Sequence, residues 1–100
     1  MRFIALEKAH RLVDGYRSVV SVEGRNLLLF QQDNQIHIID NSCPHAGAKL
    51  DKATIENGVL RCPWHGICFD VQTGNGLVHD MQLIKFPVCH QGADIGILLD

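Results

Sequence analysis

The chain has no sustained helical repeat. No stretch recurs at helical spacing between an N-cap and a C-cap, so a helical bundle is not expected. Long apolar runs are missing too. The longest, Leu27 to Phe30, falls far short of the roughly 20 residues that cross a bilayer. Glu7, Lys8 and His10 break the N-terminal apolar residues before they amount to a signal-peptide core. No membrane association is expected, and the chain reads as a soluble, cytoplasmic protein. A basic surplus is also lacking. Nine Lys and Arg stand against eleven Asp and Glu, a net charge of −2, which argues against nucleic acid as a partner. There is no internal repeat, low-complexity tract or linker. The 100 residues fit one small domain, 1–100, with no room for a second catalytic domain. A core this modest leaves scope for a bound metal centre to supply stability.

What is present is β-hairpin patterning with turns about every ten residues. Phe3–Leu6 reads as a first strand, and Asp14-Gly15 as a turn. Tyr16–Val22 is rich in β-branched residues and reads as a strand. Glu23-Gly24-Arg25-Asn26 turns into Leu27–Gln31, and Gln32-Asp33-Asn34 turns into Gln35–Ile39. Asp40-Asn41-Ser42 breaks the pattern. Pro44 and Gly47 make Cys43–Ala48 a tight loop. Asn57-Gly58 suits the positive φ angles of a type I′ hairpin leading into Val59-Leu60-Arg61. Ile67–Val71 leaves a second loop, Cys62–Gly66, and Thr73-Gly74-Asn75-Gly76 closes another hairpin. Leu83–Val88 and Ile95–Leu99 complete the strands, with a turn at Gln91-Gly92-Ala93 between them. Residues 42–71 read as an insertion on this β scaffold.

Four cysteines in a cytosolic chain suggest metal or redox chemistry before disulfides. Two of them stand in Cys43-Pro44-His45 and Cys62-Pro63-Trp64-His65, with sixteen residues between the clusters. Two Cys and two His also compose tetrahedral zinc sites. Zinc sites usually pair like with like across a short spacer, whereas each loop here mixes one thiol and one imidazole. Two loops of equal composition suggest two metals bridged by sulfide, one taking both thiolates and the other both imidazoles, the ligand set of a Rieske [2Fe–2S] centre.

The chain resembles the Rieske ferredoxin family through Cys43-Pro44-His45-Ala46-Gly47-Ala48-Lys49-Leu50, Cys62-Pro63-Trp64-His65-Gly66, Phe69-Asp70 and Thr73-Gly74. The resemblance implies an all-β, Rieske-like antiparallel β-sandwich, with a cluster-binding subdomain at 42–71 inserted between strands. It implies one [2Fe–2S] cluster per chain, with Cys43 and Cys62 on the inner iron and His45 and His65 on an outer iron near the surface. Two ferric irons, two sulfides and two thiolates sum to zero charge. A four-thiolate cluster is more negative, so the mixed centre accepts an electron more readily, at about −150 to +300 mV across the class. Rieske proteins of respiratory complexes add a disulfide between the cluster loops and hydroxyl donors to the cluster sulfurs. The corresponding positions hold Ala48, Trp64, Ile67 and Phe69, so a potential in the lower half of the range is expected.

Cys68 and Cys89 are expected to pack as small buried hydrophobes, and His10, His37, His79 and His90 to be ordinary surface or core residues. Trp64 is expected to pack over its loop and shield the cluster. The family commonly has a proline in the third loop, and Gly76–Gln82 has none.

The function implied is a one-electron carrier without substrate chemistry of its own. A reductase, flavin-dependent by the resemblance, would load the electron, and a terminal oxygenase would remove it. The alternative partner is an assimilatory nitrite reductase, with this chain as its small subunit; length favours the free ferredoxin. A catalytic oxygenase subunit would need a large further domain with mononuclear iron. A zinc-stabilised binding module and a redox sensor acting through cluster loss are the readings from other classes.

Overall fold

Leu27, Leu28, Leu29 and Phe30 are all buried, so neither face of the strand that carries them meets water. Successive side chains of a strand point to opposite faces. Leu28 and Phe30 therefore enter one apolar cluster, and Leu27 and Leu29 another. The computed structural model describes residues 1–100 and arranges everything else around this strand. In chain order the strands are β1 (Arg2–Lys8), β2 (Arg17–Val22), β3 (Arg25–Gln32), β4 (Gln35–Asp40), β5 (Thr54–Glu56), β6 (Val59–Arg61), β7 (Cys68–Asp70), β8 (Lys85–Phe86), β9 (Cys89–Gln91) and β10 (Asp94–Leu99). The chain is all-β apart from one 3₁₀ turn at Ala9–Arg11. No helix is long and apolar enough to cross a membrane.

Three antiparallel sheets result, with orders β1-β10-β9, β2-β3-β4-β8 and β5-β6-β7. The second is the middle layer. Its one face packs Leu27, Leu29 and Ile38 against Ile95 and Ile97 of β10. Its other face packs Leu28, Phe30 and Ile39 against Leu50, Ile55, Leu60, Ile67, Phe69 and Val71 of the 42–71 segment. The β3–β4 register pairs Leu28 with Ile39 and Leu29 with Ile38, so both strands present matching faces to each layer. Each fully buried Leu or Ile contributes about 1.5–3 kcal/mol by leaving water, and the two clusters together fix how the third sheet lies on the middle one.

The expected strands recur, β5 is added to them, and three further differences stand out. Leu83–Val88 shrinks to β8, which pairs only Lys85 and Phe86 with β4; Pro87 has no N–H to continue the ladder. Cys89–Gln91 is a strand, paired with Gly96 to Asp94 of β10. The expected four-residue turn at 23–26 tightens, because Val22 already pairs with Arg25.

The β5-β6-β7 sheet consists of three-residue strands, too little to be stable alone. It is tied down from outside. Arg17 on β2 donates to the carbonyls of Asp51 (3.0 Å) and Ala53 (2.6 Å). From the far side, Lys85 on β8 donates to the carbonyl of Val71 at 2.5 Å.

Candidate metal centre

The first loop leaves β4 at Asn41. This side chain is buried; its Oδ1 accepts the Leu50 N–H at 2.8 Å, and its Nδ2 donates to Asp51 at 3.3 Å. Both ends of the loop are thereby pinned through one residue. Inside it, the Cys43 N–H donates to the Ala48 carbonyl (2.8 Å) and the Gly47 N–H to the Cys43 carbonyl (2.7 Å). Pro44, His45 and Ala46 form the exposed turn at its tip.

The second loop joins β6 to β7. The Cys62 N–H donates to the Ile67 carbonyl at 2.8 Å, the same five-residue closure as in the first loop. Its turn holds two consecutive left-handed residues, His65 and Gly66, each at φ 66°. Only Gly66 takes that conformation freely. A Cβ there would also come within 2.8 Å of the Arg61 guanidinium, which lies over the loop. The His65 backbone is therefore held in an unusual conformation at the loop tip.

The two loops bring their donors together in matched pairs. Cys43 and Cys62 are each 1% exposed and belong to the same buried apolar cluster. Burial raises the Cys62 thiol; the Trp64 N–H opposes this, and the neighbouring Cys43 adds to it. His45 and His65 are exposed, with ring centroids 5.3 Å apart and edge to face. Thiols face the core and imidazoles face solvent.

This donor set fits a [2Fe–2S] group of the mixed-ligand kind: two soft donors at one end and two imidazoles at the other. A single zinc would need all four donors within about 2.3 Å of one point, whereas here the two thiols are buried and the two imidazoles are exposed.

Around these donors the structure meets some expectations and departs from others. Trp64, expected to pack over its loop, is 57% exposed at the turn tip, and its ring stacks on His65 of that loop at 5.7 Å and 15°. Cys68 and Cys89 are half-buried, not core residues, and their Sγ atoms lie 3.5 and 3.9 Å from the carbonyls of Gly66 and Pro87. All four cysteines are free. Of the four histidines expected at surface or core positions, His37 is a core residue on β4, stacked on Phe30 and paired with Lys85, and His10, His79 and His90 are exposed.

The third loop closes without a proline. Gly76 N–H donates to Met81 (2.7 Å), Met81 N–H to His79 (2.8 Å) and Leu77 N–H to Cys68 on β7 (3.0 Å). A Cβ on Gly76 would meet the His79 carbonyl at 2.4 Å, so glycine makes this fold-back possible. Met81 then packs on the cluster that contains Cys43 and Cys62.

Asn41 and Arg17 hold the site's first loop and its base, and neither was singled out from the sequence. An Asn in a pattern break just before a thiol is a weak signal, because turn-forming and loop-pinning Asn look alike.

Comparison with known proteins agrees with this geometry. A family model described as Rieske [2Fe-2S] domain matches residues 2–85, and the family's group is a [2Fe–2S] cluster. The ferredoxin component of the naphthalene 1,2-dioxygenase system of Pseudomonas aeruginosa is 36% identical over 80 residues, covering 78% of this chain and 77% of that protein. Human apoptosis-inducing factor 3 is 38% identical over 64 residues, 64% of this chain. The chain spans only 11% of that longer protein. Among solved structures, the complex of reduced oxygenase and oxidized ferredoxin in carbazole 1,9a-dioxygenase contains a chain that superposes with a TM-score of 0.79. It is 24% identical and covers 92% of this chain and 97% of that one. At that identity the likeness is one of fold.

Proposed function

The chain belongs to the Rieske [2Fe–2S] family, and on that premise we propose that it is a one-electron carrier between a flavin-dependent reductase and a terminal oxygenase. The observation that carries the reading is the opposed placement of the donors, thiols at 1% exposure and imidazoles at the surface. Cys43 and Cys62 hold the inner iron, and His45 and His65 hold the outer one. The bound cluster supplies reversible one-electron chemistry. The chain's own residues bury the thiolate end in the apolar cluster and set the two imidazoles where a partner can reach them. Residues 42–71 act as the cluster-binding subdomain of one domain spanning 1–100.

The chain acts without substrate chemistry of its own. Four free thiols suit the reducing cytoplasm, where the reading places it. The oxygenase is favoured as acceptor because the dioxygenase ferredoxin is matched over 77% of its length. A small subunit of nitrite reductase would have the same centre in a permanent partnership.

The test is stopped-flow mixing, without oxygen, of the reduced, cluster-loaded protein with a ring-hydroxylating terminal oxygenase. Reoxidation with one electron delivered per chain supports the reading. Transfer to a nitrite reductase large subunit and to no oxygenase would reassign the partner. A protein that takes up no electron reversibly would sink the carrier.

A further inference from the structure

Away from the thiol and imidazole loops, an open cleft of about 440 Å³ is walled by His37, Lys85, His90, Asn34, Gln35 and Gln72, with no Asp or Glu in its lining. It opens where β4, β8 and β9 meet Gln72, just past β7. Lys85 Nζ lies 3.2 Å from His37 Nδ1 and donates to the Val71 carbonyl at 2.5 Å. An ammonium has three N–H donors, so these contacts leave one unspent. Because Lys85 donates to Nδ1, the proton of the neutral His37 ring is on Nε2. His37 is 6% exposed and its side chain bonds only through Nδ1. No side-chain nitrogen or oxygen sealed from solvent lacks a partner, so the Nε2–H reaches one of the two adjoining cavities that His37 lines, this cleft and the smaller one beside it.

Burial, and then Lys85, push His37 down to about 4, which keeps the ring neutral at pH 7. The acidic group acting on Lys85 is Asp70, whose Oδ1 already accepts the Gln72 and Thr73 N–H groups. Asp33 stands in the smaller adjoining cavity. The Gln35 and Gln72 side chains touch one another and add carboxamide donors. Converging donors, a cation and no lining carboxylate suit a ligand that only accepts hydrogen bonds.

We propose that this cleft binds a small oxyanion of the phosphate or carboxylate type. Bound there, it would bridge β4 and β8 to Gln72 and so clamp the segment leaving the third sheet onto the middle sheet.

The test is calorimetric titration of inorganic phosphate into the cluster-loaded protein at pH 7, against sodium chloride at equal ionic strength. The expected result is saturable one-to-one binding that chloride does not reproduce. Lys85→Met should weaken it about tenfold or more, the loss of a hydrogen bond to a charged group. That variant also loses the bond to Val71, so His90→Ala on the exposed rim is the second variant. It should weaken binding several-fold with the melting temperature unchanged. Titration with succinate separates the sources: tighter binding than phosphate assigns the cleft to carboxylates, weaker binding to phosphates. No saturable binding of either anion, or equal binding by the wild type and both variants, overturns the proposal.

Discussion

In the loop after Asn41, the Cys43 N–H closes onto Ala48; in the loop after β6, the Cys62 N–H closes onto Ile67. Both closures put a buried thiol at the base and an exposed imidazole at the tip. Their supports differ. The first loop hangs between a strand end and irregular chain, and the buried Asn41 side chain ties its two ends together. The second is clamped by the β6–β7 ladder, whose Arg61–Cys68 pair flanks it, and is shaped by left-handed backbone at His65 and Gly66. The same ligand pair can thus be presented by a side-chain staple or by a strand pair with a strained tip. Sequence spacing alone does not distinguish the two.

The comparison predicts equal effects at the bases and unequal effects at the supports. Cys43→Ser and Cys62→Ser should each abolish the cluster, read as loss of iron and of visible absorbance on purification. A loop that tolerated the change would show that its thiol is not a ligand. His45→Cys and His65→Cys, where the cluster still assembles, should lower the potential towards the plant-type value of about −400 mV, because each adds negative charge. An unchanged potential in redox titration would defeat the charge argument.

The supports come next. Asn41→Ala leaves the buried Leu50 N–H without an acceptor, costing about 1–3 kcal/mol. Denaturant melts should show it, and Asn41→Asp, which keeps an acceptor, should recover part of the loss. Equal stability of Asn41→Ala and wild type would remove the staple from the account. Gly66→Ala should cost about 1–2 kcal/mol through its left-handed backbone. Combining it with Arg61→Ala should restore the part due to the close guanidinium and leave the backbone part. The smallest effect belongs to Trp64→Ala. An exposed side chain outside the core should change stability by no more than about 0.5 kcal/mol and leave the iron content intact. Loss of iron would mean that the ring shields the centre after all.

Much of this was legible in the chain. The Cys-x-His and Cys-x-x-His pairs, Asn57-Gly58 and the β-branched runs are local signals whose chemistry does not depend on distant partners. The unread parts depend on tertiary placement. Trp64 looks like a cover in sequence, but a residue at a turn tip points away from the core and here stacks on His65. His37 lacks partner spacing, yet β4 buries it and β8 brings Lys85 to its Nδ1 from 48 residues away. Asn41 looks like any turn residue until Leu50 folds back onto it. Gly76–Gln82 lacks the proline expected there, and three backbone hydrogen bonds together with Gly76 shape the loop.

The central claim is one mixed-ligand two-iron centre held by Cys43, His45, Cys62 and His65. Its most direct test is a redox titration of the purified protein with iron, sulfide and zinc assayed on the same sample. The account predicts two irons and two sulfides per chain, and a one-electron midpoint in the lower half of the span from about −150 to +300 mV. One zinc with no visible absorbance, or a midpoint near −400 mV, the plant-type value of about that size, would contradict it.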